Sequence, residues 1–346
     1  MLLQTNLKYY FFYTAVFVVV IAGLKVASEI VIILLLAIFI SSLLSAFLTF
    51  LNKKRIPKLI SYSFLTLLFV IFVSLITYLV NTSLASFVSA LPVYEEKIKN
   101  LTLLTFSYLD TYNIKVNKDE ILKLLDFNYL FTFTKDIISN LGVILSKLLL
   151  ITIGVAFILS ESKLFNKKLK VIFKNDTQKL VSFNLFSHNL QKYFAVKTFT
   201  SFLTGLLIYF VLLFFGIQYA LLWAFVAFLF NFIPVVGSIV ASLPAVLIAL
   251  VSGNIEMTLW LIIIYVVINI SISNILEPKF MGTHLNLSPM IIFFSLIFWG
   301  WVLGIVGMFL AVPITMTIKI AFESSENTKW IGILLSNISQ EKRSLN

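Results

Sequence analysis

Four polar side chains recur at four-residue intervals near the C-terminal end: Tyr265, Asn269, Ser273 and Glu277. On an α-helix this spacing keeps them along one face. Their neighbours between 257 and 276 are mostly Ile, Val and Leu. A polar stripe ending in a carboxylate is costly in apolar surroundings unless it meets a cavity or a partner. Two chemistries follow. The stripe can line a path for a solute or ion, with Glu277 binding a cation or a proton. It can equally join helix to helix, with Glu277 at an interface beside Lys279.

A second constellation is Asn231-Phe232-Ile233-Pro234-Val235-Val236-Gly237. A helix broken there frees backbone carbonyls and helix ends, which can coordinate cations or anionic solutes. The plainer role for Asn231 is to cap the half-helix that follows. The spacings Gly300-xxx-Gly304 and Ser201-xxx-Gly205 predict close helix packing, and His284 reads as a turn residue at the surface. Catalytic signatures are missing. The sequence has no Gly-x-Ser-x-Gly elbow, no paired zinc-binding histidines, no phosphate-binding Gly-x-x-x-x-Gly-Lys-[ST] loop and no cysteine. These absences point away from an enzyme and from any cofactor or metal. Transport would then be passive, or driven by an ion gradient or by a partner.

The elements that must position these residues are long and apolar. Ordinary spans at 198–215 and 257–276 each precede a much longer apolar segment, 218–252 and 288–317. A continuous helix over the first would run about 52 Å, against a hydrocarbon core of about 30 Å. Pro234, Gly237 and Pro244 interrupt the first segment. Gly300, Gly304, Gly307 and Pro313 interrupt the second. The strings Val236-Gly237…Pro244 and Val306-Gly307…Pro313 are similar in form and read as a weak internal repeat. Paired Gly/Pro-interrupted segments predict two re-entrant helical hairpins, a transporter signature; two kinked full spans are the alternative.

Composition fixes the class. Of 346 residues, 60% are hydrophobic and only 12% charged, about half the usual charged share. Such a chain cannot clothe a soluble globule. Residues 198–255 hold no charged side chain, and continuous apolar runs in lipid become helices, which satisfy their own backbone groups. The fold class expected is an all-α polytopic membrane protein of about eight segments. Its net charge of +11 reads as the lysine excess of cytoplasmic loops rather than as nucleic-acid binding.

The divisions expected are three membrane helices over 1–91, an extracytoplasmic amphipathic insert over 92–140, and a fourth helix over 141–160. A basic cytoplasmic helical segment over 161–197, a transport region over 198–322 and a cytoplasmic tail over 323–346 complete the chain. The run Asn52-Lys53-Lys54-Arg55-Ile56-Pro57-Lys58 marks a cytoplasmic loop, and both termini are expected on that side. Residues 161–197 carry eight lysines against two acids. This is a positive-inside loop, whose basic helix could also meet anionic lipid heads.

The Asn231–Gly237 string resembles the Ile-Pro-x-x-Gly signature of the autoinducer-2 exporter family. So do Asn274-Ile275-Leu276-Glu277-Pro278-Lys279-Phe280-Met281-Gly282, the Leu287-Ser288-Pro289 turn, and Gly304-Ile305-Val306-Gly307-Met308-Phe309-Leu310-Ala311-Val312-Pro313. The resemblance implies a bacterial inner-membrane permease, homo-oligomeric and often eight-spanning. For some members it implies autoinducer-2 export, for others sodium- or lithium-for-proton antiport. It adds Asn274 to the path residues, and Pro278, Gly282 and Pro289 to the shaping ones. Asn231 stands where many relatives carry Asp, which removes one carboxylate.

The resulting reading is a permease that exports a small polar solute, driven by an ion gradient, with Asn231, Asn269 and Glu277 near the path. Its rivals are a sodium(lithium)/proton antiporter and a non-transporting scaffold or sensor acting through the 92–140 insert.

Overall fold

The computed structural model describes residues 2–53, 56–111, 147–172, 177–252, 254–281, 287–324 and 326–337, with Thr132 and Asp136. Most of the predicted 92–140 insert, together with Gly282 and His284, lies outside the described residues. Among the described residues there is no strand.

The helices are α1 Leu2–Val26, α2 Ser28–Lys53, α3 Lys58–Thr111, α4 Leu148–Ile172, α5 Thr177–Phe214, α6 Ala220–Phe230, α7 Val236–Val251, α8 Ile255–Ile270, α9 Glu277–Met281, α10 Pro289–Glu323 and α11 Lys329–Leu335. A π-helical turn, Ser271–Leu276, joins α8 to α9. Among the described residues five helices are long and apolar enough to cross a membrane, and shorter apolar helices accompany them. This is a polytopic membrane protein. Large hydrophobic side chains such as Phe64, Leu67, Ile71 and Phe72 point outward along α3, which suits lipid and not water.

Local chemistry sets the ends. Gly216, at φ 65°, closes α5 in a Schellman arrangement, with the Ile217 N–H on the Leu212 carbonyl at 2.9 Å. Asn254 caps α8 by accepting the Met257 N–H at 2.8 Å. Pro289 opens α10 at the position that tolerates a missing N–H. The boundary expected between 91 and 92 falls within α3, which runs through Pro92 to Thr111.

The chain divides into two compact units. The first comprises Met1–Leu67, Leu149–Ala195 and Met281–Asn346. In it α10 packs on α1, α2 and α11, and Phe39 sets its ring edge-on to Phe194 at 4.6 Å and to Phe309 at 5.2 Å. The α10 stretch breaks at Gly304, whose φ of 65° and ψ of −150° leave the helical region. Beyond it the chain folds back: Gly307 presses on the Trp299 carbonyl, where a Cβ would come within 1.9 Å of the oxygen.

The second unit comprises Leu68–Leu148 and Val196–Phe280. Here α6 packs on α7, and α7 on α8. Gly205 brings α5 onto α6, with a Cβ there meeting Ala224 O at 3.0 Å and Phe228 Cβ at 2.9 Å, the close packing its spacing predicts. Phe87 stacks edge-on against Trp223 at 4.9 Å, and Tyr94 donates to Gln218 Oε1 at 2.5 Å, fastening α3 to the start of α6.

Candidate functional site

The site is built on the buried face of α5, and that face is polar. Lys197, Thr200, Ser201 and Thr204 are all buried, at the i, i+3, i+4, i+7 spacing of one helical stripe. Lys197 Nζ donates to Glu277 Oε1 at 2.5 Å, with 5% and 13% of the two side chains exposed. Thr200 Oγ1 donates to the same carboxylate oxygen at 3.0 Å. One residue along, Ser201 Oγ accepts from Asn231 Nδ2 at 3.0 Å. Adjacent residues of α5 therefore hold the two groups that the sequence singles out in separate segments, Asn231 and Glu277.

Glu277 reaches this face through the π turn. Its backbone N–H bonds to the Ile272 carbonyl five residues back, so the wider turn absorbs about one extra residue. The buried side of the helix runs Leu261, Tyr265, Ile272 and Met281, with Glu277 five residues beyond Ile272. An uninterrupted α-helix would turn Glu277 well away from Ile272. The same shift leaves Ser273 and Asn274 exposed; the structure does not bring them to Glu277.

Tyr265 and Asn269 lie on the inward side of α8. Asn269 Nδ2 donates to the Tyr265 carbonyl at 2.8 Å. The Tyr265 hydroxyl and Asn269 Oδ1 are buried without a hydrogen-bond partner. Unpartnered buried groups of this kind cost free energy that a bound polar molecule would recover.

Asn231 ends α6 and does not cap α7; its side chain reaches across to Ser201. The break it opens is strained. Val235 adopts φ 62° and ψ −61°, and the Val236 N–H closes onto the Pro234 carbonyl at 2.7 Å. This is the rare γ-turn, with a β-branched residue at positive φ. Gly237 then lies so close to the end of α6 that a Cβ would be 1.8 Å from Phe230 O. Pro244 and Pro313 sit inside α7 and α10, so the chain reverses at 231–235 and at Gly304, not at these prolines. Pro278 lies in the first turn of α9. Among the described residues no cluster of His, Cys, Asp or Glu could hold a metal ion.

Lys197 and Thr200 are the residues that sequence reasoning missed. Lys197 borders the charge-free run and reads as the last lysine of a basic loop. The signal that identifies it is the polar period of Lys197, Thr200, Ser201 and Thr204.

Comparison with known proteins gives the family. Residues 14–327 match the AI-2E family transporter. A putative transport protein of Haemophilus influenzae is 32% identical over 95% of this chain and 96% of its own. The AI-2 transport protein TqsA of Escherichia coli K12 is 30% identical over 94% of each. A putative transport protein of Borreliella burgdorferi is 30% identical over 95% of this chain and 92% of its own. By this match over nearly its whole length, the chain belongs to the AI-2E family of transporters.

Proposed function

We propose that the chain is a permease that exports a small polar solute of the autoinducer-2 kind, driven by an ion gradient and coupled through Glu277. The observation that carries this reading is the ion pair of Lys197 and Glu277, joined through Thr200 and Ser201 to the break at Asn231. Charges buried in a membrane are expensive, and they mark solute and ion pathways. The unpartnered Tyr265 hydroxyl and Asn269 Oδ1 supply one group that can donate or accept and one acceptor, matching a neutral, hydroxylated solute. Sodium-for-proton antiport at Glu277 is the weaker reading, since an ammonium already occupies the carboxylate.

In this proposal α6 with α7, and the two arms of α10, are re-entrant hairpins. The 11 residues of α6 and 16 of α7 span about 16 and 24 Å, short of the roughly 30 Å core. Both termini face the cytoplasm, the 92–140 insert lies outside, and the protein works as a homo-oligomer in the bacterial inner membrane.

The test is reconstitution of the purified protein in vesicles loaded with autoinducer-2 and a trapped pH dye. Loss of solute that accelerates under an imposed pH gradient, with a matching dye signal, supports the reading. A folded protein that releases no more solute than empty vesicles would overturn it. A pH change driven by a sodium gradient alone would favour antiport.

A further inference from the structure

We propose that the Lys197 ammonium is a built-in counter-cation that holds the place of a monovalent metal ion on Glu277, so that this chain works without sodium or lithium. Transport without sodium or lithium rests on the function proposed above; cation binding at Glu277 rests on geometry. Glu277 Oε1 receives Lys197 Nζ at 2.5 Å and Thr200 Oγ1 at 3.0 Å. Thr200 Oγ1 also lies 3.2 Å from the Lys197 carbonyl oxygen. A carboxylate oxygen and a hydroxyl are hard donors, the kind that suits small hard cations.

A carboxylate with only 13% of its side chain exposed is far more stable with a positive partner. The ammonium supplies that charge, but it differs from an ion in one respect. Its stem is anchored in the unbroken helix Thr177–Phe214, so it cannot leave with the solute or exchange with the bath. Lys197 also immediately precedes the charge-free run 198–255. Among the described residues no other cation lies within bonding distance of Glu277, so with the ammonium removed it must recruit one from solution.

The experiment uses the full chain in detergent and measures binding of radioactive sodium. Wild type should show no saturable binding. Lys197→Met keeps the stem and removes the charge; it should gain saturable binding approaching one ion per chain, displaced by lithium. The double variant Lys197→Met with Glu277→Gln should lose it. Sodium chloride, compared with choline chloride, should raise the melting temperature of Lys197→Met and leave wild type unmoved. If Lys197→Met folds only when purified in sodium, the proposal gains support. Failure to fold in either salt, or a folded Lys197→Met that binds no sodium, overturns it. Saturable binding to wild type that Glu277→Gln abolishes overturns it as well. Absence of solute flux in wild type would instead sink the transport reading and leave these binding results intact.

Discussion

Trp299 donates its indole N–H to the Thr315 hydroxyl at 3.2 Å, although 16 residues separate them. A straight helix would hold them about 24 Å apart. The reversal is made at Gly304, whose φ of 65° and ψ of −150° lie in a region open almost only to glycine. Gly304→Ala should therefore lower stability by roughly 1–3 kcal/mol, read as a drop in melting temperature in detergent. Thr315→Val, which removes only the bond, should cost about 1 kcal/mol. A Gly304→Ala variant that melts with the wild type would show that the backbone at Gly304 carries no strain for alanine.

The two breaks share a device. Gly237 faces Phe230 O and Gly307 faces Trp299 O, where a Cβ would sit 1.8 and 1.9 Å from the oxygens. Backbone cannot yield as a side-chain tip can. Gly237→Ala and Gly307→Ala should each cost at least the upper part of the roughly 1–3 kcal/mol typical of overpacking. Gly23, with nothing within 4 Å of its would-be Cβ, is the control; Gly23→Ala should be neutral or stabilising. Thermal unfolding of the three variants side by side decides the matter.

Val235 is 80% exposed yet holds φ 62° and ψ −61°, so strain there is not repaid by packing. Val235→Gly should stabilise the fold by about 1 kcal/mol. If the break at 231–235 moves during transport, the same substitution should also alter turnover without changing solute affinity. A stability loss instead would mean that the Val235 side chain makes a contact worth more than its strain.

The helical class was legible in the sequence from apolar run length, and so was one break in each long segment, at 231–237 and at Gly304. Pro92, Pro244 and Pro313 mark no break, since each sits inside a helix. The register of the stripe was not legible. Four-residue counting assumes an unbroken α-helix, and nothing in Ser-Ile-Ser-Asn-Ile-Leu announces a π turn. That turn sends Ser273 and Asn274 outward while carrying Glu277 inward. Lys197 was hidden for another reason: a lysine at the edge of a basic segment is ordinarily solvated, and only its period with Thr200, Ser201 and Thr204 marks it as buried. Asn231 was legible as a polar group at a break, but its bond to Ser201 depends on Gly205 letting α5 approach α6, a tertiary matter.

Glu277→Gln leaves Lys197 buried without its counter-charge. Removing one partner of a buried pair typically costs about 3–5 kcal/mol, whereas replacing both can be nearly neutral. Glu277→Gln should therefore be the less stable variant, and adding Lys197→Met to it should recover most of the loss. Both should lose gradient-driven solute movement. A double-mutant cycle on melting temperatures that returns no coupling energy would mean the pair is solvated in the working protein.

Tyr265 separates a structural seam from a solute path. It is 2% exposed, and its hydroxyl has no partner. A hydroxyl that joins helices stabilises them, so its removal would lower the melting temperature by the roughly 1 kcal/mol of a lost hydrogen bond. A hydroxyl kept for a solute does the reverse: unsatisfied in the empty protein, it costs stability until the solute arrives. Tyr265→Phe should therefore leave the melting temperature unchanged or raise it slightly. In vesicles it should raise the KM for the solute by about tenfold, the worth of one buried hydrogen bond at roughly 1.4 kcal/mol. The stabilisation that solute gives the wild type in a melting experiment should shrink in the same variant. If Tyr265→Phe melts lower and transports with an unchanged KM, the stripe on α8 is a helix seam and the path lies elsewhere.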